Sequence, residues 1–239
     1  MIKKQNYLKH AIVLFLLLLL MQPERAWAAY ENVEFSSLTN HDGLTNSQVG
    51  AILKDTRGYI WFGTQSGLCR FDGFRMKTFY YINTDDKSLP NNSVDELQQD
   101  YGGNIWVHTS VGYCIYKYDE EQFERKPEEW LKNIHVQGPP YKLLIDKDKN
   151  MWIAVYGQGL YYHNAKTKNT YLFKFTKKAQ PGCLKEGNIS KITEVDGDAL
   201  ITYGDGTISL VNGQKQKVSW YNSFLANHKA AGDNGAYTF

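Results

Sequence analysis

Few residues of this chain stand in a pattern that could do chemistry. Asp146-Lys147-Asp148-Lys149-Asn150 begins like a calcium loop, with oxygen-bearing side chains spaced to wrap a hard cation. The second half departs from that pattern, because Met151 stands where a glycine is needed and Gly157 where a carboxylate must close the shell. The six histidines, His41, His108, His135 and His163 among them, show no metal-ligand spacing. Acidic residues gather in Asp119-Glu120-Glu121 and Glu128-Glu129, solvated runs rather than the convergent pair that bond cleavage at a sugar requires. Asn46-Ser47, Asn92-Ser93 and Asn188 with Ser190 recur at strand starts, where such side chains bond the local backbone. No catalytic residue, metal ligand or cofactor site follows, no ligand-binding residue is named, and the chain reads as a non-enzyme.

What does recur is a unit that would position side chains. Asp55, Gly58, Ile60, Trp61 and Gly67 return 45 residues later as Asp100, Gly103, Ile105, Trp106 and Gly112. A looser copy runs through Asp146, Met151, Trp152 and Gly159, and a fourth through Val195, Leu200, Ile201 and Gly206, with Leu200 in place of the tryptophan. Self-similarity at this period signals radially repeated β-architecture, in which one repeat cannot bury its own faces. Within a copy, Asp-x-x-Gly makes a turn, the aromatic and β-branched run from Tyr59 to Gly63 suits a strand covered on both faces, and Asp72-Gly73 signals a hairpin. Four short strands joined by tight turns compose a propeller blade. The expected fold is all-β, about four blades of four antiparallel strands and the start of a fifth, an incomplete seven-bladed propeller. The tryptophans lie inside apolar strands, so they read as packing between sheets rather than as sugar platforms.

The ends and the composition narrow the rest. Lys3, Lys4 and Lys9 precede an apolar run from Ala11 to Met21, and Ala26-Trp27-Ala28 supplies a small-x-small cleavage site, so residues 1–28 read as a signal peptide and 29–239 as a partial propeller domain. The run is too short for a bilayer core, so no membrane span is expected after signal removal. Removing residues 1–28 takes four Lys/Arg and one Glu from 27 basic and 25 acidic groups, leaving a formal charge of −1. A nearly neutral surface offers no footprint for nucleic acid. Cys69 and Cys114 hold equivalent strand positions on neighbouring sheets, too far apart for a disulfide, and read as small buried residues.

The stretches Asp42-Gly43-Leu44-Thr45-Asn46-Ser47, Asp55 to Thr64 and Gly67-Leu68-x-Arg70-Phe71-Asp72-Gly73 resemble a two-component regulator propeller, at the start of the periplasmic sensor region of hybrid two-component systems. That resemblance implies two seven-bladed propellers ahead of a membrane helix, kinase and DNA-binding segment, a homodimeric parent, and recognition of an oligosaccharide that controls polysaccharide-utilisation genes. On this reading the chain is the leading fragment of a periplasmic sensor, ending at Ala236-Tyr237-Thr238-Phe239 in a fifth blade and carrying no kinase. Asn32 to Ser36 would be the strand that closes the ring, and an open arc is expected to self-associate. The alternative is an extracytoplasmic propeller scaffold or assembly protein, and behind it a periplasmic propeller enzyme acting on carbohydrate. A WD-type scaffold is disfavoured, because Phe62, Val107 and Ile153 follow the repeat tryptophan where that type needs Asp.

Overall fold

The computed structural model describes residues 36–177, 182–185 and 187–221. The chain divides into the units Met1–Ser37 and Leu38–Phe239. Only Ser36 and Ser37 of the first are described, outside any regular element. The signal segment, residues 32–35 of the expected closing strand and the fifth-blade strand at 236–239 therefore lie outside the described residues. Everything below belongs to the second unit.

Four antiparallel sheets follow one another along the chain, each wound in sequence order. Blade 1 contains β1 Val49–Lys54, β2 Ile60–Thr64, β3 Gly67–Phe71 and β4 Met76–Phe79. Blade 2 contains β5 Val94–Gln99, β6 Ile105–Thr109, β7 Gly112–Lys117 and β8 Gln122–Glu124. Blade 3 contains β9 Pro140–Ile145, β10 Met151–Val155, β11 Gly159–His163 and β12 Thr170–Thr176, and blade 4 contains β14 Ile189–Val195, β15 Asp198–Tyr203, β16 Ile208–Asn212 and β17 Lys217–Tyr221. A two-residue strand β13, Leu184–Lys185, adds in parallel to the outer edge of blade 3. The innermost strands β1, β5, β9 and β14 are neighbours, as blades around an axis require.

The repeated aspartate explains the motif. In blade 1 the Asp55 Oδ1 accepts the backbone N–H of Arg57 (2.9 Å) and Tyr59 (3.0 Å), while its Oδ2 accepts the indole N–H of Trp61 at 2.7 Å. Asp100 repeats this with Gly102 N, Asn104 N and the Trp106 indole (3.0 Å). Asp146 does so with Asn150 N and the Trp152 indole (3.3 Å). One buried carboxylate thus closes the turn and fixes the ring six residues on, so neither group is buried unsatisfied. The turn needs a positive φ at its fourth residue, supplied by Gly58 (92°) and Gly103 (85°) but by Lys149 (65°) in blade 3. Blade 4 dispenses with the aspartate and turns through Asp196-Gly197, with φ of 51° and 85°, a tight hairpin.

Three apolar clusters fill the gaps between consecutive blades. Trp61 packs with Leu97, Ile105 and Tyr116 of blade 2, Trp106 with Met151, Ile153 and Tyr161 of blade 3, and Trp152 with Ile192, Ile201 and Val211 of blade 4. The three tryptophans are no more than 1% exposed, so each is interior packing. At the equivalent register Leu200 is half-buried, since no described blade follows it. Cys69 and Cys114 are buried and unbridged, and burial pushes the Cys114 thiol well above its ordinary range.

Two expectations need correction. The strand at 59–63 was expected to be covered on both faces, but Ile60 and Phe62 are half-buried, and among the described residues only one side of β2 has a neighbouring blade. The strand after the Asp72-Gly73 hairpin, which the apolar and aromatic run marks from Phe74 to Tyr80, is trimmed to Met76–Phe79, and Phe74 is exposed on the hairpin. A short helix α1, Pro127–Leu131, was also missed; Pro127 in its first turn and the acidic Glu128 and Glu129 are its local signal.

Candidate functional site: the inner strands

The innermost strands wall a cleft of about 320 Å³. By ladder register, Ala51, Glu96, Lys142 and Lys191 hold one equivalent position in the four blades, opposite Gly63, His108, Ala154 and Thr202. Each follows a register shift at the start of its strand, between Val49 and Ala51, Val94 and Glu96, Pro140 and Lys142, and Ile189 and Lys191. Such a bulge lets the strand bend and re-aims the next side chains. All four residues line the cleft, with Ser190 at the bulge of blade 4.

A polar network stiffens this wall. The buried Tyr113 hydroxyl donates to Glu96 Oε2 (2.8 Å) and accepts the Leu143 N–H (3.1 Å), tying blade 2 to blade 3. Burial and the Glu96 carboxylate hold that phenol far above its ordinary pKa, so it stays a donor. The Gln98 side chain acts as a substitute backbone, donating to Leu143 O (2.9 Å) and accepting from Ile145 N (2.5 Å). At the far end of the strands, Thr56 N donates to Gln99 Oε1 (3.0 Å) and Lys147 N to Glu194 Oε2 (2.9 Å). A turn of one blade is thereby held by a side chain of the next, twice at equivalent positions. The ammonium of Lys142 lies 3.9 Å from Glu96 Oε1, a loose ion pair.

The strand-start end of blade 3 carries an aromatic pair outside the cleft lining. Tyr141, at the bulge of β9, stacks on Tyr156 with ring centres 4.0 Å apart and planes 18° apart. The Tyr141 hydroxyl accepts Ile189 N at 3.2 Å. Tyr156 sits in the turn between β10 and β11 and is 64% exposed.

The strand-start asparagines bond the backbone. Asn46 Oδ1 accepts Gln48 N (2.7 Å) and Asn91 Oδ1 accepts Ser93 N (2.8 Å), each just before its inner strand. The counterpart of Asn46 is therefore Asn91, one residue before the Asn92 named from sequence; Asn92 instead accepts Tyr81 N (2.7 Å). Ser93 donates to Gln65 (2.9 Å), and of this set only Ser190 reaches the cleft. The Asp146 carboxylate, first in the calcium-like run, is spent on Asn150 and Trp152. Glu121 pairs with Lys77 and Arg70, chiefly Lys77, which holds it below the ordinary carboxylate range, and Glu129 pairs with Lys132. Residue pattern alone did not reveal the set of Ala51, Glu96, Lys142 and Lys191, although its members follow from the repeat spacing once the bulges are known.

The family described as two component regulator propeller matches residues 43–66. A search of the curated proteins matched none. Among solved structures, the chain is similar to the extracellular domain of the putative hybrid two component system BT3049 from Bacteroides thetaiotaomicron, with 23% identity over 78% of this chain and 26% of that chain and a TM-score of 0.55. It is also similar to the extracellular domain of the putative one component system BT4673 from the same organism, with 14% identity, 75% of this chain, 30% of that chain and a TM-score of 0.44. The chain thus spans about a quarter of the length of BT3049's extracellular domain. The chain folds into consecutive blades of a β-propeller, and the segment that opens its first blade matches the two component regulator propeller family.

Proposed function

We propose that residues 29–239 form the leading part of a periplasmic ligand sensor of a hybrid two-component regulator, recognising an oligosaccharide and controlling polysaccharide-utilisation genes. The observation that carries this reading is the regulator-type repeat at 43–66 within a run of propeller blades whose inner strands wall a cleft bearing Glu96, Lys142 and Lys191. A rigid scaffold that brings side chains from several blades to one cleft suits recognition, and outside it Asp55 is engaged in a turn and Glu121 in an ion pair. Signal transfer belongs to segments of a longer parent, in which ligand must bind one arrangement of paired sensors better than another.

Titration calorimetry of the chain against a broad panel of oligosaccharides tests the reading. Binding in the millimolar to micromolar range, about −4 to −8 kcal/mol, is expected for at least one glycan. A flat response across the panel would overturn it in favour of a scaffold.

A further inference from the structure

The cleft has more cationic than anionic capacity. Of its three charged residues, Glu96 has one carboxylate oxygen occupied by the Tyr113 hydroxyl, and Lys142 only approaches the other. Lys191 is exposed on the adjacent blade at the same register and makes no ion pair among the described residues. The two lysines therefore come from neighbouring inner strands, β9 and β14, which are joined by the Tyr141 hydroxyl accepting Ile189 N. Tyr156 stands in the β10–β11 turn, outside the cleft lining. It lies one residue beyond Val155, whose ladder partners are Pro140 and Gly159, and so at the end of blade 3 from which Lys142 enters the cleft. Tyr141 backs one face of its ring, fixing the orientation without covering it.

An exposed aromatic ring at the strand-start end of blade 3, together with two under-compensated lysines on the cleft wall, matches a ligand with an apolar sugar face and a negative charge. Carboxylate–ammonium hydrogen bonds are the stronger kind, and the partly enclosed cleft weakens screening by water. We propose that the strand-start end of the cleft, between blades 3 and 4, binds a saccharide bearing a carboxylate, with Lys142 and Lys191 taking the acid group and Tyr156 stacking on a sugar ring. Glu96, held by Tyr113, orients the Lys142 ammonium across the cleft. This inference rests on the saccharide-sensing reading above and adds the charge of the ligand and its seat.

The test is calorimetry of the full chain with uronic-acid oligosaccharides (oligogalacturonides and oligomannuronates), neutral galacto-oligosaccharides and free galacturonate, at low and high salt. The acidic oligomers are expected to bind about tenfold more tightly than the neutral ones, with affinity falling as salt rises. Lys142→Gln and Lys191→Gln should each weaken them about tenfold, Lys191→Arg should retain binding, and Tyr156→Ala should weaken oligomers but not galacturonate. Neutral oligomers binding as tightly as acidic ones would overturn the acid-group assignment and leave the sensing reading standing. Acidic oligomers binding equally well to both Lys→Gln variants would overturn the seat, and unchanged binding by Tyr156→Ala the stacking. Absence of binding to every sugar would overturn this proposal together with the sensing reading.

Discussion

The boundary between blades 2 and 3 and the outer side of blade 1 are built from the same positions of the repeat, yet one is core and the other surface. At equivalent places on the inner strands, Leu97, Leu143 and Ile192 are 9%, 5% and 8% exposed, whereas Ile52 is 67% exposed. The same contrast separates β10, in which all five residues are buried, from β2, where burial alternates. The residue types barely differ; the neighbour does. An apolar side chain contributes only when another sheet removes water from it, at about 25 cal/mol per Å² of apolar area. A blade is thus half of two interfaces, and its repeat pattern cannot say whether both are filled.

The largest expected effect breaks the filled interface. Trp106→Ala should destabilise the chain by about 3–5 kcal/mol in urea unfolding, through the cavity and the lost aromatic packing against Trp130 and blade 3. Leu200→Ala, at the same register of blade 4 but half-buried, should cost under about 1 kcal/mol. Equal losses would dissolve the distinction between flanked and unflanked blades.

Asp100→Ala should follow, costing about 2–3 kcal/mol, because it leaves the Gly102 and Asn104 amides and the Trp106 indole without their acceptor. Asp196→Ala in the hairpin of blade 4 removes no such network and should cost about 1 kcal/mol, from placing alanine at positive φ. Thermal or urea midpoints of the two variants compare a turn that anchors a core ring with one that does not.

A smaller, pH-dependent effect probes the blade 2–3 boundary through His163. Its Nδ1 meets Thr170 Oγ1 at 2.9 Å, its Nε2 is buried without a partner, and the Tyr101 ring lies 5.6 Å away. Burial first, then Lys168 and His135, holds its pKa below the ordinary 6.5. The unfolded chain therefore takes up this proton first, so the contribution is complete above about pH 6.5 and is lost as pH falls below it. Urea midpoints at pH about 7.5 and 5.5 should differ in that sense. His163→Phe should flatten the slope, and an unchanged slope would remove His163 from the account.

The smallest effect is at Ile52. Ile52→Ser should change stability by no more than about 0.5 kcal/mol, against about 2–4 kcal/mol for Leu143→Ala. A large loss at Ile52 would mean that its side of blade 1 is covered in solution.

Much of the architecture was legible. All eight strands that the sequence marks out in blades 3 and 4, at 141–145, 151–155, 160–163, 170–175, 190–195, 199–203, 207–211 and 217–221, lie within one residue of those observed, because their apolar runs are bounded by Asp-Gly, Asn and Gly turns that leave little choice of end. The helix at 127–131 and the parallel strand Leu184–Lys185 were not anticipated, since five and two residues are too short for periodicity to register. The offset at Asn92 has a similar cause: Asn91, Asn92 and Ser93 offer adjacent polar groups, and only the bulge before Glu96 selects Asn91 as the turn residue. The cleft was least visible, for its lining comes from four strands about a repeat apart, and the bulge in each decides which side chain turns inward.

From its sequence alone, this protein has its blades: recurring Asp, Gly and Trp dictate turn, strand and the face each strand must bury, because those demands are met within one repeat. Which face finds a partner, which residue after each bulge enters the cleft, and that Lys142 and Lys191 both line it were decided by tertiary structure. Those depend on contacts between residues tens of positions apart, whose geometry is set only when blade packs on blade.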